Sequence, residues 1–176
     1  MTLLSIQVIK RVLSIALILS MMTSSPASAT LNLDHNNTRV YTSFDQRQIV
    51  CLAKNSYYEA SSQSFVGMIA VDNVVINRVN SNTTYFGPSP CKVIYQKHNK
   101  VCQFSWVCSH RAIKDQYIYS LSLLAAIDVY FSLSIKDYSN GALYYHAIYS
   151  HPAWAHKMKI TTKIGDHIFM KEINHG

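Results

Sequence analysis

Carboxylates are scarce in this chain. Among 176 residues there are nine Asp and Glu together, and the only glutamates are Glu59 and Glu172. Charged residues make up 14% of it, against about 25% in an average protein. With 49% apolar residues beside them, that excludes the charge-rich, apolar-poor composition of a disordered chain. Five glycines and four prolines are too few for a linker or a fibrous protein. No run reaches the roughly 20 apolar residues of a membrane span once the N-terminal segment is accounted for. H-E-x-x-H and G-x-S-x-G are both missing, so neither a zincin-type site nor a serine nucleophile elbow has a motif to stand on. What remains is a small folded catalytic or binding domain, and the length suits one.

The first 29 residues read as a secretory signal. Lys10 and Arg11 precede the apolar run VLSIALILSMM (Val12–Met22), and Ala27-Ser28-Ala29 fits the A-x-A cleavage pattern. The apolar run is short for an uncleaved anchor, and no Cys at the cleavage point suggests a lipid attachment. Cleavage removes Lys10 and Arg11 and leaves 14 basic against nine acidic residues, a net charge of +5. That excess suits an anionic polymer such as a cell wall. The basic residues are scattered, so nucleic-acid binding has no footprint. The expected location is the periplasm or beyond the cell.

Four cysteines remain after cleavage: Cys51, Cys91, Cys102 and Cys108. In an exported chain an even count points to disulfides, with three possible connectivities. A zinc site completed by His110 is the rival, but C-x10-C-x5-C-x-H lacks the paired close spacing of structural zinc.

Periodicity organises the rest. Residues 30–44 are polar and aperiodic, a loose arm, and the catalytic domain is expected over 45–176. Ser43 or Asp45 caps a helix to about Ala60, with Ile49, Leu52, Ala53, Ser56, Tyr57 and Ala60 on one face. Ser61–Ser64 breaks it, and a second helix to about Val79 is apolar nearly all round, as a central helix should be. Asn80–Pro90 is a loop and Cys91–His110 is irregular. A third helix spans Asp115–Leu133. The last third alternates instead: Ala142–His146 reads as a strand, and Lys159–Ile164 with His167–Lys171 as a hairpin across Gly165-Asp166, of type II′. The fold class is α+β, helices first and a small antiparallel sheet last.

Glu172 is a tail charge. Glu59 ends a helix on the shoulder of its apolar face, where the dipole and partial desolvation both raise a carboxyl pKa. That suits a general acid. The eight histidines form no close metal pair, and Trp106 and Trp154 are candidates either for a sugar groove or for core packing.

Several segments together resemble the cell-wall hydrolase family named for the spore cortex-lytic enzyme SleB. They are LAKNSYYEASSQSFVGMIAVDNVVINRV (Leu52–Val79), VIYQ (Val93–Gln96), CQFSW (Cys102–Trp106), GALYYHA (Gly141–Ala147), HPAWA (His151–Ala155) and IGDHIFMK (Ile164–Lys171). They run in the family's order from about Arg47 to Lys171. The resemblance implies a lysozyme-like fold, cleavage of peptidoglycan glycan strands, no cofactor or metal, and Glu59 as the catalytic acid. Gln63, Gln103, Ser105, Trp106, Tyr145, His146 and Trp154 are expected to bind the glycan. No separate peptidoglycan-binding domain is expected, and the cysteines suggest a general envelope enzyme rather than a germination factor.

Members often carry a second acid four residues after the first, where this chain has Gln63. Two-carboxylate hydrolysis is thereby in doubt. Lytic transglycosylation at the MurNAc–GlcNAc bond needs a single acid/base and is the leading expectation. A hydrolytic muramidase would need another carboxylate, for which Asp72 is nearest in sequence. A peptidoglycan-binding protein with weak or no turnover is the alternative from another class, and a zinc amidase built on His146, His151 and His167 ranks last.

Overall fold

A computed structural model describes residues 41–173, apart from 82, 110, 134 and 135. The expected signal, most of the expected arm and His110 lie outside the described residues. Contacts divide the chain between Val40 and Tyr41, and everything below concerns the second unit.

Helix α1 spans Ser43–Ala60, starting inside the stretch expected to be a loose arm. Its cap is Thr42, one residue ahead of the expected candidates. Asp45 N–H donates to Thr42 Oγ1 at 3.2 Å, and Thr42 N–H donates back to Asp45 Oδ2 at 3.0 Å. This reciprocal box satisfies two amides that the helix start would leave bare. The whole predicted apolar face is buried. Helix α2 (Phe65–Asn80), capped by Ser64, runs through the middle and packs against α1 and against α5 (Gln116–Tyr130), which Asp115 caps. Met68, Ile69, Ala70, Val71 and Val74 of α2 form the core with Ala60, Ala125, Val129, Ala142 and Phe169.

Between α2 and α5, the stretch read as irregular holds short elements: α3 (Pro90–Ile94), a hairpin of β1 (Lys97–His98) and β2 (Val101–Cys102), and α4 (Ser105–Ser109). The hairpin turns at Asn99 and Lys100, both at positive φ (48° and 68°), the geometry of a type I′ turn. Two disulfides hold this region, Cys51–Cys91 and Cys102–Cys108, and the cysteines are therefore not zinc ligands.

The C-terminal sheet is antiparallel in the order β3-β5-β4, from β3 (Tyr144–Ala147), β4 (Met158–Ile164) and β5 (His167–Glu172). The β4–β5 turn falls on Gly165-Asp166 as expected, with positive φ (52°) confined to Gly165. Tyr145 pairs with Phe169, and Phe169 is fully buried in the core. That pairing carries β3 across to the end of α1.

Candidate active site

Glu59 lies one residue before the end of α1. Asn55 and Ser56, one turn earlier, are both fully buried, so Glu59 inherits the edge of the inward face and sits half-buried. From β3, Tyr145 donates its hydroxyl hydrogen to Glu59 Oε2 at 3.2 Å. Burial pushes the Glu59 carboxyl above its ordinary range. The Tyr145 hydrogen bond and the charges of Arg111 and Arg78 offset that rise in part. A carboxyl so placed keeps its proton at higher pH than a surface glutamate, as a general acid must.

Glu59 opens onto a cavity of about 560 Å³, walled also by Arg78, Tyr85, Gln103, Phe104, Ser105, Tyr144, Tyr145, Trp154 and Met158. Tyr85 and Trp154 are 52% and 38% exposed, with one face of the Tyr85 ring stacked on His98 at 4.6 Å. Arg78 is 4% exposed. Its Nε donates to Leu143 O at 2.7 Å, and the rings of Phe86, Phe104 and Tyr144 surround its guanidinium at 5.1, 5.5 and 5.8 Å. Three π-faces and one carbonyl hold this cation out of water. Its charge acts on Glu59 and favours the ionised form of that carboxyl.

Of the residues expected to bind glycan, Gln103, Ser105, Tyr145 and Trp154 line this cavity and Gln63, Trp106 and His146 do not. Trp106 is 7% exposed, donates Nε1–H to Asn55 Oδ1 at 3.1 Å and stacks on Tyr58 with centroids 4.7 Å apart. It is a packing residue. His146 packs against Trp154 as a T-shaped pair with centroids 5.7 Å apart. Gln63 faces the β4–β5 turn instead. Arg78, Tyr85, Phe104, Tyr144 and Met158 were not anticipated. For Arg78 a signal existed, since a cation three and four residues after Val75 and Val74 falls on the buried face of an apolar helix.

Asp72 is fully buried. Neither of its oxygens has a hydrogen-bond partner, and the Ser56 hydroxyl beside it donates to the carbonyls of Leu52 and Ala53. Burial holds its carboxyl well above the usual range. A carboxyl with no exposed surface, lining no part of the cavity, is no second catalytic carboxylate. Among the described residues, no three His, Cys, Asp or Glu side chains gather as a metal site requires.

Tyr145→Phe should lower the cleavage rate about tenfold, the value of one hydrogen bond to a charged group. Removing that bond also removes a force holding the Glu59 pKa down. The alkaline limb of the pH–rate profile should therefore move to higher pH, and a limb that stays put would show that Tyr145 does not act on Glu59.

The sequence pattern of the Cell Wall Hydrolase family matches residues 62–170, beginning just after Glu59. Two solved structures are similar. One is the catalytic domain of the Bacillus cereus SleB protein, at 23% identity and TM-score 0.57, covering 80% of this chain and 100% of that one. The other is the catalytic domain of the germination-specific lytic transglycosylase SleB from Bacillus anthracis, at 24% identity and TM-score 0.57, covering 78% and 100%. At such identities they show the shared fold. No curated protein matches.

Proposed function

We infer the reaction from two premises: the chain belongs to the Cell Wall Hydrolase family, and among the described residues its cavity is lined by one carboxylic acid, Glu59. Membership makes it an enzyme that lyses peptidoglycan. The single acid supports lytic transglycosylation at the MurNAc–GlcNAc bond over hydrolysis.

In this reading Glu59 enters the reaction protonated and gives its proton to the glycosidic oxygen as the bond to muramyl C1 breaks. The C6 hydroxyl of the same muramyl residue attacks C1, and the Glu59 carboxylate takes the hydroxyl proton. A 1,6-anhydro end forms, and the acid is regenerated without water. Tyr145 and Arg78 support the carboxylate between the two proton transfers. An inverting or retaining hydrolase would need a partner carboxyl roughly 5–10 Å away across the bond. Asp72 is fully buried and lines no part of the cavity, and Gln63 and Asp166 are engaged with each other.

The N-terminal segment supports export, and peptidoglycan lies outside the cytoplasmic membrane. Among the described residues no helix is long and apolar enough to cross a membrane. Digesting purified peptidoglycan and weighing the products tests the reading. Anhydromuramyl ends are expected. Reducing muramyl ends would make water the nucleophile, and binding without cleavage would make this a glycan-binding protein.

A further inference from the structure

Gln63 stands where a second acid was looked for, and its side chain is fully used elsewhere. Its backbone N–H donates to Ala60 O at 3.0 Å, closing the end of α1. Its Nε2 donates to Asp166 Oδ2 at 3.1 Å and to Ser62 Oγ at 3.0 Å. In return, Asp166 N–H donates to Gln63 Oε1 at 2.9 Å. The two contacts with Asp166 run in opposite senses, which an amide can satisfy and a carboxylate cannot.

The surroundings are shaped to this side chain. A Cβ at Gly165 would collide with Gln63 Oε1, and one at Gly67 would lie 2.9 Å from Gln63 Cβ. Two positions lining Gln63 thus lack side chains. Asp166 passes the connection onward, because its carbonyl accepts from Ile148 N–H at 2.8 Å, just past the end of β3. His167 pairs with Ala147, and the rings of His167 and Phe169 pack on Tyr145 at 5.2 and 5.7 Å. Tyr145 then reaches Glu59. The contacts form a closed circuit from the end of α1 through the β4–β5 turn and β3 back to the carboxyl on α1.

We propose that Gln63 is a positioning residue, clasping the β4–β5 turn to the end of α1 so that Tyr145 stays in register with Glu59. The proposal rests on Glu59 being the catalytic acid. It also assigns the Gln: opposite Asp166, a Glu would put two carboxylates about 3 Å apart and lose the donated bond.

The test is a cycle on the exported chain with its disulfides formed: wild type, Gln63→Glu, Asp166→Asn and the double variant. Gln63→Glu should lower kcat about tenfold with KM nearly constant, because a misplaced donor acts on the transition state more than on binding. Asp166→Asn alone should cost less, since its amide oxygen still accepts from Gln63 Nε2. The double variant should recover most of the lost kcat. There the carboxylate introduced at position 63 can accept from both the side-chain amide introduced at position 166 and the backbone N–H of that position. Melting temperatures should follow the same order.

Full kcat in Gln63→Glu, or no recovery in the double variant, overturns the clasp. So does the appearance of reducing muramyl ends from Gln63→Glu, which would mean that a carboxylate at this position works as a second catalytic group. If the wild type itself leaves glycan strands intact, the transglycosylase reading is what fails. The clasp is then decided by melting temperature, which Gln63→Glu lowers and the double variant restores.

Discussion

Glu59→Gln should lower glycan cleavage about 1,000-fold, within the range that a positioned general acid contributes. An amide cannot give its proton to a glycosidic oxygen, and among the described residues the cavity is lined by no other carboxyl to take over. Binding of glycan strands should survive, because Gln keeps the size and most of the polarity of Glu. The loss therefore belongs in kcat rather than KM, and anhydromuramyl ends should vanish with it. Stability should move the other way at neutral pH. The folded protein raises the Glu59 pKa above its unfolded value. Its contribution to stability is therefore fully present below the unfolded pKa and is lost as pH rises through the folded one. The amide that replaces it carries no such dependence, so the variant should melt at the same temperature as wild type in acid and at a higher one near pH 7. A variant that loses activity by unfolding would melt lower at every pH, and that result would remove Glu59 from the chemistry.

Its place beside a buried helix face is why Glu59 stands out in the sequence. Leu52, Ser56 and Ala60 recur at helical spacing, and that pattern fixes the side of α1 that Glu59 borders. The same periodicity located α2 and α5, and Gly165-Asp166 located the β-hairpin, because a period and a positive φ are both written locally. The region from α3 to α4 was not legible. Its helices have five residues each and its strands two, too short for any period to show. What holds them is covalent and tertiary: two disulfides, and the Gln48 side chain accepting Cys91 N–H at 3.0 Å.

The side chains that the structure places away from the expected positions share one cause. A residue's type was visible, but the partner that its side chain meets lies far along the chain. Trp106 looks like a sugar platform until Asn55, 51 residues earlier, takes its N–H. Gln63 looks like a lost acid until Asp166, 103 residues later, shows why an amide is needed. Thr42 was passed over because the polar run before it suggested a loose arm. Its box with Asp45, whose other oxygen accepts from Tyr130 at 2.6 Å, ties the start of α1 to the end of α5.

Loss of the Cys51–Cys91 bridge, by the double change to Ser, should destabilise the protein by about 4 kcal/mol if the gain is mainly entropy removed from the unfolded chain. The bridge joins residues 40 apart, against 6 for Cys102–Cys108. The longer loop contains all of α2 and the Tyr85 wall of the cavity. For a domain of this size such a loss should lower the melting temperature by roughly 10–15 °C. The same model gives about 2 kcal/mol for the short loop. Function should rank the two bridges in the opposite order. Cys102–Cys108 encloses Gln103, Phe104 and Ser105, three residues of the cavity wall, so its removal should raise KM even where the fold survives. Melting curves and kinetics on the two double-Ser variants, with wild type in reductant as the reference, separate the two effects. Equal melting temperatures for the two variants would show that loop length does not set the stabilisation. An unchanged KM without Cys102–Cys108 would show that the wall holds its shape without the bridge.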